Sequence, residues 1–112
     1  MRIEQERLAR GGVVIRTAGV VAVAAAQRLR ATLTEVLGGG EPCVLDVSQV
    51  LAIDTIGAAA IIGAARQARQ AGLPFVVAGE NEEVDALLWL ANGQSVVARR
   101  ADVATALEPP GS

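Results

Sequence analysis

The sequence predicts a single α/β domain, with a central mixed sheet of four to five strands and about four helices packed on it. Three observations predict this. Short apolar runs bounded by turn formers alternate with longer stretches of helix formers, the order expected of an α/β sheet. The 112 residues fit one ordinary core. A hydrophobic share of 52% against a charged share of 20% is the balance of a chain that folds. No internal repeat or linker divides the chain, so the domain covers residues 1–112. Its core spans about residues 3–107, and residues 108–112 are expected to be a frayed tail.

Residues 3–8 read as an edge strand stopped by Gly11-Gly12, and residues 13–17 as its hairpin partner. A helix is predicted over 23–37, where Leu29, Leu33, Val36 and Leu37 form an apolar stripe and Gly38-Gly39-Gly40 stops it. Residues 42–47 are short, apolar and bounded by turn formers, which suits a buried central strand. The second helix is predicted over 56–71 and closed by Gly72. The next strand, 73–78, carries Pro74 near its start, where a missing donor matters least. Asn81 is placed to cap a third helix, with Glu82 and Glu83 favoured in its first turn. Val84, Leu87, Leu88 and Ala91 form the inward stripe of that helix, Gly93 ends it, and Trp89 reads as core or rim. A last strand is predicted over 95–98, and Asp102 caps a terminal helix bearing Val103, Ala106 and Leu107.

Composition excludes several functions. All ten basic residues are Arg, twelve acids give a net charge of −2, and the chain has no Tyr, one Phe and one Trp. That leaves neither a basic stripe nor stacking platforms for nucleic acid. With no His and a lone Cys43, a metal site would need carboxylates alone, so no metal and no cofactor are expected. Cys43 reads as a small buried hydrophobe in a reducing compartment. The N-terminus carries Glu4 and Glu6 where a signal peptide needs a basic start, and charges interrupt every apolar run before the ~20 residues of a membrane span. A cytoplasmic protein without direct membrane insertion is expected.

The stretch Val44-Leu45-Asp46-Val47-Ser48-Gln49-Val50-Leu51-Ala52-Ile53-Asp54-Thr55-Ile56-Gly57 resembles the hallmark of STAS domains. In that hallmark an apolar strand ends in Asp-Leu-Ser, and Asp-Ser/Thr-x-Gly then opens a helix. Residues 71–79 resemble the next strand of that family, and residues 87–93 resemble its helix ending in Leu-x-x-x-Gly. The similarity spans about residues 13–107. It is strongest to bacterial anti-sigma factor antagonists, in which the Ser or Thr after the hallmark Asp is phosphorylated by a partner kinase that also sequesters a sigma factor.

The resemblance implies a regulatory protein-binding module whose phosphorylation candidate is Thr55. The alternative role for Thr55 is a plain cap on the N–H groups of Gly57 or Ala58. The partner would be an anti-sigma factor kinase or another regulatory protein, and homodimerisation stays open. Residues 56–65 carry no polar side chain on any face for nearly three turns, the composition of an interface core. The alternative is that Ala and Gly are merely surface residues with little apolar area to hide, but Ile56, Ile61 and Ile62 cannot all point to one side, which favours the interface. Asp54, Thr55, Ile56, Gly57, Ala58, Ile61, Ile62 and Arg66 are therefore the candidate partner-binding residues.

One departure favours a different partner. Where many antagonists have a Gly-Glu-Leu-Asp-like turn, this chain has Gly19-Val20-Val21-Ala22-Val23, without either acid. The Asp-Thr-x-Gly-Ala form also resembles STAS subunits of bacterial lipid-transport ABC systems, which dock on a cytoplasmic ATPase. An enzyme is the third class. Asp46 and Asp54 could serve as an acid/base pair or a Mg²⁺ site, but no His, nucleophile or phosphate loop accompanies them. They read instead as carboxylates that accept loop N–H groups and orient the turn, with no catalytic residue. Glu80, Glu82, Glu83 and Asp85 read as a solvated helix start.

Overall fold

A computed structural model of the chain describes residues 1–107, so the expected tail lies outside the described residues. Strand β1 (Arg2–Arg7) pairs antiparallel with β2 (Val13–Val21). Strands β3 (Cys43–Ile53), β4 (Phe75–Ala78) and β5 (Ala98–Arg100) continue the sheet in parallel, giving the order β1-β2-β3-β4-β5. Helices α1 (Ala24–Gly38), α2 (Thr55–Ala71) and α3 (Glu82–Leu90) connect the parallel strands, and α4 (Val103–Ala106) follows β5. This is the expected α/β order of elements.

Sequential parallel strands joined by crossovers of one hand place the connecting helices on one face of the sheet. The main core lies between that face and the three helices. Ile15, Leu45 and Val77 of the sheet meet Leu29 and Leu33 of α1, Ile61 of α2 and Val84 of α3, each fully buried. Burying a side chain of this size contributes roughly 1.5–3 kcal/mol. Among the described residues, α4 and Leu8 cover part of the opposite face. There Val103 and Ala106 pack with Leu8 over Val14, Val44 and Ala78.

Local chemistry sets the helix boundaries. At the end of α2, Gly72 takes a left-handed φ of 69°, and Leu73 N–H donates to Ala68 C=O at 2.8 Å, closing the last turn. Asn81 caps α3 by accepting from Val84 N–H at 3.1 Å. Its Nδ2 donates to the carbonyls of Val47 and Val50, which ties α3 to β3. Asp102 caps α4 through Thr105 N–H at 2.7 Å.

Three segments differ from the sequence expectation. Strands β2 and β3 run on to Val21 and Ile53, well beyond residues 17 and 47. They pair with each other through register shifts after β4 has ended at Ala78, and form a two-stranded extension. The last strand falls at Ala98–Arg100, because residues 93–95 form a 3₁₀ turn. Helix α3 ends at Leu90. Val84 and Leu88 are buried, Leu87 is half-buried and Ala91 is exposed. Trp89 is 66% exposed, outside the core, because it lies about 100° round the helix from buried Leu88.

Candidate functional site

The β2–β3 extension brings four backbone segments together at the start of α2. Asp54 leaves β3 in an extended conformation and is the N-cap of α2. Its Oδ1 accepts from Gly57 N–H at 2.9 Å and its Oδ2 from Val23 N–H at 3.3 Å. Its own N–H donates to Val21 C=O at 3.2 Å, and its C=O accepts from Ala58 N–H at 3.0 Å. One residue therefore joins the end of β2, the turn into α1 and the first turn of α2.

Asp54, and not Thr55, is thus the residue that caps Gly57. Carrying β3 through Ile53 places Asp54 at the extended position whose side chain reaches the third helical N–H. Thr55 becomes the first helical residue, exposed. Gly57 is required by close approach. A Cβ there would lie 2.8 Å from Val21 O and 2.7 Å from Ile53 Cγ1.

The predicted partner-binding residues divide. Thr55, Ile56 and Arg66 are exposed, Ile56 by 48%, and Asp54 is half-buried at the N-cap of α2. Gly57, Ala58, Ile61 and Ile62 are turned inward, so the docking face drawn from the sequence is corrected at these four positions. The reason is that α2 lies between α1 and α3 on the sheet, which buries it on three sides. The exposed ridge of α2 runs through Thr55, Ala59, Gly63 and Arg66, at the i, i+4, i+8, i+11 spacing of one helical face.

Sequence reasoning missed the rest of this surface. Val20, Val23 and Leu51 are 52%, 60% and 75% exposed around the end of the β2–β3 extension, and Val23 is the one tied to Asp54. Ala26, Gln27 and Arg30 of α1 and Ile56, Ala59, Ala60 and Gly63 of α2 line a groove of about 360 Å³ leading away from it. The legible signal was the Val-rich stretch Gly19-Val20-Val21-Ala22-Val23, which finishes β2 and turns toward α1.

The electrostatics are lopsided. Arg28, Arg30, Arg66 and Arg69 stand exposed on α1 and α2 against a single acid, Glu35. The four ion pairs among the described residues, Arg2–Glu4, Arg7–Glu41, Arg16–Glu6 and Arg99–Asp85, all lie elsewhere. Glu80, Glu82 and Glu83 are exposed around the start of α3.

The other carboxylate of the motif, Asp46, sits mid-strand, where the sequence reading put it at the strand's end. Its Oδ1 accepts from Ser48 N–H at 3.0 Å. Asp46 and Asp54 are thus both committed to backbone N–H groups, at separate places along β3. Cys43 is buried at the start of β3, and desolvation pushes its thiol up to about 12. Among the described residues, no helix is long and apolar enough to cross a membrane.

The family model described as "Mlab, STAS domain" matches residues 4–97. The chain belongs to the STAS-domain family. Solved structures agree with this fold. An anti-sigma factor antagonist from Mycobacterium paratuberculosis superposes with a TM-score of 0.80 at 17% identity, covering 95% of this chain and 90% of that one. The antagonist SpoIIAA in its unphosphorylated form gives 0.75 at 15% identity, over 93% and 92% of the two chains. The phosphorylated form of SpoIIAA, a Bacillus cell fate determinant, gives 0.74 at 14%, over 93% and 96%. At these identities the likeness establishes the shared fold. No curated protein matches this STAS domain at a significant level.

Proposed function

We propose that this STAS domain is a regulatory docking module of the anti-sigma factor antagonist kind. It binds an anti-sigma factor kinase in the cytoplasm through the surface around Thr55, and phosphorylation of Thr55 dissociates the complex. The observation that carries this reading is the placement of Thr55. It is an exposed hydroxyl at the first residue of α2, next to exposed Ile56 and to the Asp54 carboxylate that holds the N–H of exposed Val23. A phosphate there adds about −1.5 to −2 charge, and the helix start can hold it through free N–H groups in the unbound domain. Docking would strip water from that dianion against an apolar patch, at a cost of several kcal/mol unless a cation meets it. The phosphorylated form of SpoIIAA supports the reading as an analogy of fold. The domain works by binding, and no turnover of ATP, GTP or simple phosphoesters is expected from it.

A second reading has its own support. The matching family model carries the Mlab description, and the stretch leading into the Val23 turn is apolar, without the acids that the resemblance to many antagonists would imply. The same surface would then dock on the cytoplasmic ATPase of a lipid-transport ABC system, with no kinase involved.

Calorimetric titration against the two candidate partner classes separates these readings. For the antagonist, Thr55→Glu should weaken binding by about 3 kcal/mol, more than a hundredfold, while folded Thr55→Ala binds nearly as wild type. Wild-type affinity for Thr55→Glu would remove the switch and leave the ATPase-docking reading.

A further inference from the structure

Val23 adopts φ 45° and ψ −109°, a region that backbone contacts deny to a β-branched side chain. Among the described residues the other non-glycine with positive φ is Asn92, a type that tolerates it. A conformation of this kind persists only where its surroundings hold it. The Val23 side chain supplies little of that hold, being 60% exposed. The polar ties at the turn are the bond from Val23 N–H to Asp54 Oδ2 and the bond from Gln27 N–H to Val23 C=O, which belongs to the start of α1. Beside them, Ala25 N–H donates to Ala22 C=O and the Asp54 backbone N–H to Val21 C=O, so the Asp54 carboxylate is the side-chain tie that reaches Val23 itself from another element.

The two oxygens of Asp54 are divided between two structures. Oδ1 caps α2 at 2.9 Å, and Oδ2 holds Val23 at 3.3 Å. The longer bond is the weaker one and yields first. Thr55 adjoins this carboxylate in the chain. A negative charge on Thr55 repels this carboxylate and is itself drawn to the N–H groups that Asp54 leaves free at the start of α2.

We infer that the turn between β2 and α1 is a strained two-state element latched by the Asp54 carboxylate, and that negative charge on Thr55 releases the latch. Release lets Val23 return to ordinary backbone angles and rearranges the apolar surface that Val20 and Val23 present. The latch stands on the geometry alone. Its coupling to Thr55 rests on the reading of that residue as the switch.

The test compares amide hydrogen exchange and thermal midpoints of the full 112-residue chain and three variants. Asp54→Asn keeps one oxygen to cap Gly57 but replaces the second acceptor with an NH₂ group, which cannot accept. Exchange at Val23 should rise about tenfold or more while exchange at Gly57 stays slow. Val23→Gly places a residue that tolerates positive φ in the strained conformation, and should raise Tm by about 4 °C or more. At an unstrained exposed position the same change lowers Tm by loosening the unfolded chain. Unchanged Val23 exchange in Asp54→Asn, or a lower Tm in Val23→Gly, overturns the latch. In Thr55→Glu, faster exchange at Val23 supports the coupling. Partner affinity lost with Val23 exchange unchanged overturns the coupling and spares the switch. Faster Val23 exchange with wild-type affinity keeps the latch and its release by charge, and sinks the switch.

Discussion

At Cys43, burial alone determines the chemistry. Desolvation disfavours the thiolate and raises the group from an ordinary 9.0 to about 12. The chain has no His and no Tyr, and all ten of its basic residues are Arg. Across pH 9 to 12 the raised value at Cys43 then governs how stability changes. Below about pH 9 the thiol is protonated in folded and unfolded chains alike, and its burial contributes fully. As pH rises from about 9 toward about 12, unfolded chains ionise and folded ones do not, so stability falls. The slope should approach about 1.4 kcal/mol per pH unit and vanish in Cys43→Ala. Urea unfolding across that range checks it, and a slope surviving in Cys43→Ala would show another group at work. Burial of Cys43 was legible from its apolar run. The division of labour between Asp54 and Thr55 was not, because Asp and Thr both cap helices well. What decided it was the length of β3, and Ser48 and Gln49, exposed polar residues, hide the continuation of that strand.

Helix α2 shows why an element's existence was legible and its orientation only in part. Its helix formers and the closing Gly72 marked its extent to within a residue, as the helix starts at Thr55 and ends at Ala71. Which face is buried depends on α1 and α3 packing on either side, and an Ala-rich helix carries no polar stripe to reveal that. Strand β5 was misplaced for a related reason. Its members Arg99 and Arg100 look like loop residues, yet Arg99 donates to the carbonyls of Val77 and Gly79 and pairs with Asp85. Two glycines in α2 make the packing testable with opposite signs. A Cβ at Gly63 meets nothing within 4 Å, so Gly63→Ala should gain the usual helix preference, about 0.5–1 kcal/mol. A Cβ at Gly57 runs into the Val21 carbonyl, so Gly57→Ala should lose about 1–3 kcal/mol despite the same preference. Thermal unfolding of both variants decides it. A stabilising Gly57→Ala would mean that α2 stands farther from β2 than described.

For the molecule as a whole, a net charge of −2 conceals a separation of charge. The sequence shows the number of charges, and only the fold shows that Arg28, Arg30, Arg66 and Arg69 share the α1–α2 side while Glu80, Glu82 and Glu83 gather at the start of α3. Arg66 and Arg69 stand toward the far end of α2 from Thr55. A partner that covers the length of the α1–α2 groove would therefore meet this positive field, and an acidic docking segment on it would be favoured. Such a field acts mainly on the rate of encounter. Raising ionic strength from about 0.01 M to 0.15 M shortens the screening length from about 30 Å to about 8 Å, and association should slow accordingly. Arg30 and Arg66 flank the groove and the ridge, so the double variant Arg30→Glu with Arg66→Glu should slow association about tenfold at low salt. Near physiological salt the effect should be much smaller, and dissociation should change little. Glu82→Gln, on the acidic side, should leave both rates nearly untouched. Stopped-flow mixing with the kinase or the ATPase measures these rates directly. An association rate indifferent to salt and to the two reversals would mean that the partner approaches the α1–α2 side without acidic groups of its own.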